Sequence, residues 1–199
     1  MSVCQLKLTG EVIARVSQQF QDMELTRRSQ AGDTEAFDEL VTKYRTRLCT
    51  TVCRIVRNEH DAWDLAQEGF LRAWKSIHQF KGRSSFYTWL SSITLNLAIY
   101  SLRRKGRREE IEFNEAIPSS LANPSVEYQR AEMREQVNKA LARLSPEHRA
   151  VVVLKEVEGL QYREIAETLD LSMGTVMSRL FCARKKLRFM LQPIYGEFS

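Results

Sequence analysis

Asp61, Asp64, Gln67 and Glu68 recur three and four residues apart, a spacing that gives them one solvent face if the segment is helical. Such a face can hold a divalent ion or dock on basic side chains. A two-metal nuclease needs acidic groups converging from several elements, and the sequence offers no such set elsewhere. Downstream, the basic loop Lys81-Gly82-Arg83-Ser84-Ser85 runs into Phe86, Tyr87 and Trp89. A basic loop beside clustered rings can hold a nucleic-acid backbone and stack unpaired bases. Core packing competes for the same rings; Phe86 is expected inside and Trp89 at least partly so. The run Arg103-Arg104-Lys105-Gly106-Arg107-Arg108 is aligned with that aromatic face and points to phosphate contact. Cys49 and Cys53 stand one helical turn apart, a spacing open to a metal or a redox pair, but no His lies nearby in sequence and burial in the core is expected.

Helices must position these groups. A leading helix is expected around Val12, Val16 and Phe20, then a short helix over 23–30 that ends at Ala31-Gly32, with Asp33 capping the next. Phe37, Leu40, Val41, Tyr44, Leu48, Val52 and Ile55 trace one stripe of a long helix over 34–57, with Lys43, Arg45, Arg47 and Arg54 opposite. The acidic helix follows over 61–78. A third long helix runs from Ser85 to about Arg104, its stripe Phe86, Leu90, Ile93, Leu97 and Tyr100. Residues 108–124, rich in Glu, Ser and Pro with little periodicity, read as an acidic linker.

Beyond the linker, Met133, Val137, Leu141 and Leu144 mark a further helix, and Ser145-Pro146-Glu147 is a helix start of cap, first-turn proline and first-turn acid. That helix is expected to run through Val157 and stop at Gly159. Helices over 162–169 and from Thr175 to about Met190, joined by a turn over 170–174, have helix-turn-helix spacing. Ile165, Ala166, Leu169, Leu171 and Val176 would fix the angle between them, and Ser172 would cap the second. Gln161, where a Ser would cap better, is expected to weaken the first helix slightly.

The fold class is therefore all-α: two small helical domains joined by a flexible linker, the second containing a helix-turn-helix. The boundaries are a 1–22 extension, domains over 23–107 and 125–199, and the linker 108–124. The 199 residues carry 30 Lys and Arg against 25 Asp and Glu, a net charge of +5, and the basic residues come in blocks that suit a polyanion. Four cysteines are too few for a disulfide scaffold. Without a leader pattern or a long apolar run, the chain is expected to be cytoplasmic and not an integral membrane protein.

The segment DAWDLAQEGFLRAWKSIHQFKGRSSFYTWLSSITLN resembles the second sigma domain of extracytoplasmic-function (ECF) sigma factors, the short members of the bacterial sigma-70 family. LSPEHRAVVVLKEVEGLQYREIAETLDLSMGTVMSRLFCARKKLR resembles the fourth. The resemblance implies a promoter-specificity subunit that is not an enzyme, needs no cofactor, metal or small-molecule substrate, and has core RNA polymerase, promoter DNA and an anti-sigma factor as partners. It implies polymerase binding by Trp63, Asp64, Gln67 and Glu68. Phe80, Lys81, Arg83, Ser84, Ser85, Tyr87, Trp89, Asn96, Arg103 and Arg104 would open and read the -10 element. Tyr162, Ser172, Thr175, Met177, Ser178, Arg179, Phe181, Cys182 and Lys185 would read the -35 element. Met177 and Cys182 depart from the basic residues common there, so an unusual -35 preference is expected. The acidic linker would lie in the polymerase's RNA channel. A two-domain regulator that binds an operator without polymerase is the alternative.

Overall fold

A computed structural model describes residues 3–106 and 126–195, so the expected linker, Arg107 and Arg108 lie outside the described residues. Among the described residues all regular structure is helical. The amino-terminal helices are α1 (Val3–Gln30), α2 (Thr34–Val56), α3 (Glu59–Ser76) and α4 (Phe86–Gly106), with a 3-10 turn at Ile77–Gln79 after α3. The carboxyl-terminal helices are α5 (Val126–Ala142), α6 (Pro146–Val152), α7 (Tyr162–Leu169) and α8 (Met173–Tyr195), with a π-helical turn at Val153–Val157 after α6.

Local chemistry sets the boundaries. Asp33 caps α2 by accepting from the Ala36 amide at 3.1 Å, and Asn58 caps α3 by accepting from the Asp61 amide at 2.9 Å. Ser145 caps α6 ahead of Pro146, as its order of residues predicts. The separate helix expected over 23–30 is instead the end of one continuous α1. Its Asp22 is buried and accepts from Lys43 Nζ at 2.6 Å and from the Tyr44 hydroxyl, tying α1 to α2.

Small buried residues on α3 (Ala62, Ala66, Gly69 and Ala73) let it lie close to its neighbours. At Gly69 a Cβ would stand 2.1 Å from Thr94 Oγ1, so α3 and α4 approach at a distance only glycine permits.

The two halves share an interface. α7 and α6 lie against α4, while α6 and the π turn meet α2. Arg149 stitches this junction: its buried guanidinium donates to the Leu141, Ala142 and Leu144 carbonyls near the end of α5 and to the Ile55 carbonyl at the end of α2. A cation there also meets the negative ends of two helix dipoles. Burial, with Arg57 nearby, lowers its pKa to about 10, so it stays charged at neutral pH.

α4 corrects the expected stripe. Phe86, Leu90, Thr94, Tyr87, Ser91, Ala98, Leu95, Thr88 and Ile99 are all buried, an arc far wider than one stripe. The arc is wide because α2 and α3 cover one side and α7 and α6 another. Tyr100, expected in the stripe, is 67% exposed.

Candidate nucleic-acid interface

The loop between α3 and α4 is held at both ends. Gln30 Nε2 of α1 donates to the Ile77 and Phe80 carbonyls at 3.0 and 2.8 Å. Ser85 Oγ accepts from the Thr88 amide at 3.0 Å and so caps α4. Between these anchors Lys81, Gly82 and Arg83 are exposed and Ser84 is half-buried, with Gly82 at φ +67°. Phe80 and Trp89 are both half-buried, with ring centroids 5.1 Å apart, and both pack on buried Phe86. Phe86 and Trp89 sit as the sequence suggests.

Along α4, Trp89, Ile93, Asn96, Tyr100 and Arg103 follow helical spacing and form its one open strip, with Arg104 beside it. Tyr87 does not belong to this strip. It is 5% exposed, its hydroxyl lies 3.1 Å from Thr51 Oγ1, and the Arg47 guanidinium sits 3.9 Å above its ring. Glu158, from the other half of the chain, accepts from Arg47 at 2.8 Å and from Thr51 Oγ1 at 2.5 Å, closing over the ring. Burial pushes the Tyr87 hydroxyl above its ordinary range. Tyr87 sits on the side of α4 that faces α2 and the π turn, so Tyr100, not Tyr87, supplies the open tyrosine. Arg103 is exposed but paired with Glu147 at 2.7 Å, and Lys105 with Asp61 at 2.6 Å.

On α3, Trp63, Asp64 and Gln67 are exposed and Glu68 is half-buried. Glu68 accepts from Arg72 at 2.6 Å, and Asp64 lies 3.6 Å from His60. Trp63 and Gln67 border a groove of about 500 Å³ between α2 and α3, floored by Phe37, Ala66 and Phe70 and edged by Arg45 and Leu71. Arg45 lies 5.8 Å from the Trp63 ring centre. The sequence signal for this groove was there, an apolar α2 stripe facing an acidic helix, but its open half at Leu71 and Trp74 was missed.

In the second half, Ser172 caps α8 as expected, accepting from the Thr175 amide at 3.1 Å. The helix therefore begins at Met173, inside the segment expected to be a turn. α6 gives way to the π turn at Val153, short of the expected Val157, and this turn brings Glu158 to α2. Gln161 starts α7 with help: Glu164 accepts from its amide at 2.6 Å, which offsets the weak cap. Met177, Ser178, Phe181, Cys182 and Lys185 are exposed, whereas Thr175, Arg179 and Tyr162 are half-buried. Lys155 lies over the Tyr162 ring at 5.1 Å. Cys49 is buried as expected, whereas Cys53 is only half-buried, and burial raises the thiol pKa of both.

Residues 40–108 match the family model described as Sigma-70 region 2, and residues 134–187 match Sigma-70, region 4. The chain is 36% identical to the RNA polymerase sigma-H factor of Pseudomonas aeruginosa over 189 residues, covering 90% of this chain and 98% of that protein. The chain belongs to the ECF sigma factors of the sigma-70 family. An ECF RNA polymerase sigma-E factor from Haemophilus influenzae is 35% identical over 90% of this chain and 100% of its own. The solved structure of CnrH in complex with the cytosolic domain of CnrY superposes with a TM-score of 0.64 at 27% identity, covering 87% of this chain and 98% of that one. This ECF sigma factor is an alternative sigma factor that directs transcription initiation; it binds core RNA polymerase and promoter DNA and is not an enzyme. The operator-binding regulator and nuclease readings fall with that finding. Among the described residues no helix is long and apolar enough to cross a membrane.

Proposed function

We propose that the factor docks on polymerase through α3, reads the melted -10 strand with the loop over 80–86 and the open strip of α4, and reads the -35 element with α8. The observation that carries this is the sorting of exposed groups: acidic and aromatic on α3, basic and aromatic on the loop and α4, and a capped, uncovered helix at α8. Trp63, Asp64, Gln67 and Glu68 present an apolar ring beside hydrogen-bonding and anionic groups, and the groove next to them accepts a helix carrying apolar and basic side chains. Phe80, Lys81, Arg83, Ser84 and Trp89 would take an unstacked base, while Asn96, Tyr100, Arg103 and Arg104 would follow the adjoining strand. Ser85 serves this surface as the cap of α4, and Tyr87 supports it from within. Stacking is worth ~1–3 kcal/mol per base, comparable to the local melting cost, so opening needs no ATP.

On α8, Thr175, Met177, Ser178, Phe181 and Cys182 would meet the major groove, and Arg179 and Lys185 its phosphates, with Ser172 and Tyr162 at the edges. Residues 23–107 and 125–199 act as the two working units. Each binds weakly alone, and tethering through 108–124 makes the pair selective on polymerase. The site of action is the cytoplasm, and the regulatory partner is an anti-sigma polypeptide; in support, CnrH, which shares this fold, was solved in complex with the cytosolic domain of CnrY.

Gln67→Ala with Glu68→Ala should abolish binding to core polymerase in a pull-down while the far-ultraviolet circular dichroism is unchanged. Retained binding would overturn the docking assignment. Run-off transcription with core enzyme on a fragment library tests the whole reading, and Met177→Arg should change which -35 sequences are used.

A further inference from the structure

The solvent side of α8 carries Met173, Met177 and Phe181 at four-residue spacing, and they are 42%, 49% and 70% exposed. Gly174 and Ser178 lie between them, and Val176, Leu180 and Ala183 are buried on the opposite side. Among the described residues α8 packs chiefly against α5, α6 and α7, and the exposure of the three side chains leaves this strip open. These are the opening turns of the second helix of a helix-turn-helix, the part that meets base edges.

The hydroxyls in the same turns are bonded locally, and the nearby arginines stand off the strip. Thr175 Oγ1 lies 2.8 Å from Ser172 Oγ, and Ser178 Oγ donates back to the Thr175 carbonyl at 3.1 Å. Arg179 is half-buried on the flank near His148, and Arg184 is tied to Glu156 at 2.6 Å. None of Met173, Gly174, Met177, Ser178 and Phe181 carries the paired donors that recognise guanine or the amide that recognises adenine; Arg179, which has such donors, stands on the flank. What the strip offers a base edge is apolar. The major-groove feature that answers an apolar side chain is the C5-methyl group of thymine.

We infer that Met177 and Phe181, with Met173 at the edge, read thymine methyl groups in the -35 element, so T·A pairs are chosen by apolar contact rather than by hydrogen bonds to guanine. This rests on the assignment of α8 to that element. Methionine suits the task because its unbranched, polarisable chain adapts to the methyl's position.

The test uses holoenzyme assembled from the full chain and core polymerase, on promoters randomised across the -35 region. One library carries thymidine and the other deoxyuridine, which keeps every hydrogen-bonding edge and lacks the methyl. The thymidine library should yield adjacent T·A pairs. Replacing those thymines by uracil should lower run-off transcription about threefold to fourfold per contacted methyl. Met177→Ala and Phe181→Ala should each weaken transcription more on the thymidine promoter than on the uracil promoter and so bring the ratio of the two toward one. Met177→Leu should restore much of that ratio. Equal transcription on both promoters by the unmodified protein, or selection of guanine at the contacted positions, would overturn the inference while leaving α8 as the -35 reader. Transcription indifferent to every -35 sequence would overturn that assignment itself, and the inference with it.

Discussion

The two helices assigned to DNA differ in how much of their surface the fold consumes. α4 is buried around most of its circumference, by α2 and α3 on one side and α6 and α7 on another, and the strip from Trp89 to Arg103 stays open together with Arg104 and Lys105 at the helix end. α8 gives one side to its module and leaves the rest to solvent. Folding and reading therefore compete for neighbouring positions on α4, whereas on α8 they are separate. A change to the outer face of α8 should alter promoter choice at little cost in stability; on α4 the outcome turns on which side is touched.

A pair of tyrosines gives the largest expected contrast. Tyr87→Ala removes a buried ring from the core and the surface on which Arg47 stacks, so it should lower stability by about 3–5 kcal/mol in a urea titration. Tyr100→Ala, on the open strip, should stay within about 0.5 kcal/mol of the parent and instead weaken open-complex formation on promoter DNA. Similar stability losses for both would break the division of α4 into an inner and an outer face.

The helices themselves were legible because each carries an apolar period, and the caps because Asp33, Ser145 and Ser172 stand where capping demands them. Burial of Phe86 could be foreseen from its place in the period. The covering of Tyr87 could not, because it involves Thr51 and Glu158, which lie 107 residues apart, the latter in a segment with no periodic signal of its own. For the same reason Tyr100 was assigned to the core. A period shows that a helix has an inner side, but not how many neighbours share it. One clue did stand in the sequence: Arg149 opens the run Arg149-Ala150-Val151-Val152-Val153-Leu154, and a long cation leading an apolar run asks where its donors go.

Arg149 also sharpens the comparison, since it holds the module of α8 against that of α4. Arg149→Ala strands the carbonyls of Leu141, Ala142, Leu144 and Ile55 and should cost ~1–3 kcal/mol by thermal unfolding. The loss should be larger than for Arg184→Ala, whose exposed pair with Glu156 contributes ~0–1 kcal/mol. A smaller effect is expected at Glu158, whose carboxylate spans the junction while its partner Arg47 remains half-exposed. Glu158→Gln should destabilise by ~1 kcal/mol and make the Tyr87 ring easier to nitrate. Unchanged nitration would mean that Arg47 covers the ring without help from the second module.

The smallest effect separates the two modules by pH. His148 Nδ1 lies 2.7 Å from Ser145 Oγ at the start of α6, and no histidine is built into the α4 side in this way. Burial, followed by the charges of Lys186 and Arg179, holds its pKa below the ordinary 6.5, with Glu147 opposing. In the folded protein it stays neutral to a lower pH than in the unfolded chain. As pH falls through 6.5 the unfolded state takes up the proton first, so the unfolded form gains and stability declines. Above 6.5 both states are neutral and the contribution is constant. Hydrogen exchange on α6 and α8 should therefore speed up between neutral and mildly acidic pH more than exchange on α2 and α3, after correction for the intrinsic rate. His148→Gln should remove the difference. An equal response in both halves would show that the junction, not His148, carries the acid sensitivity.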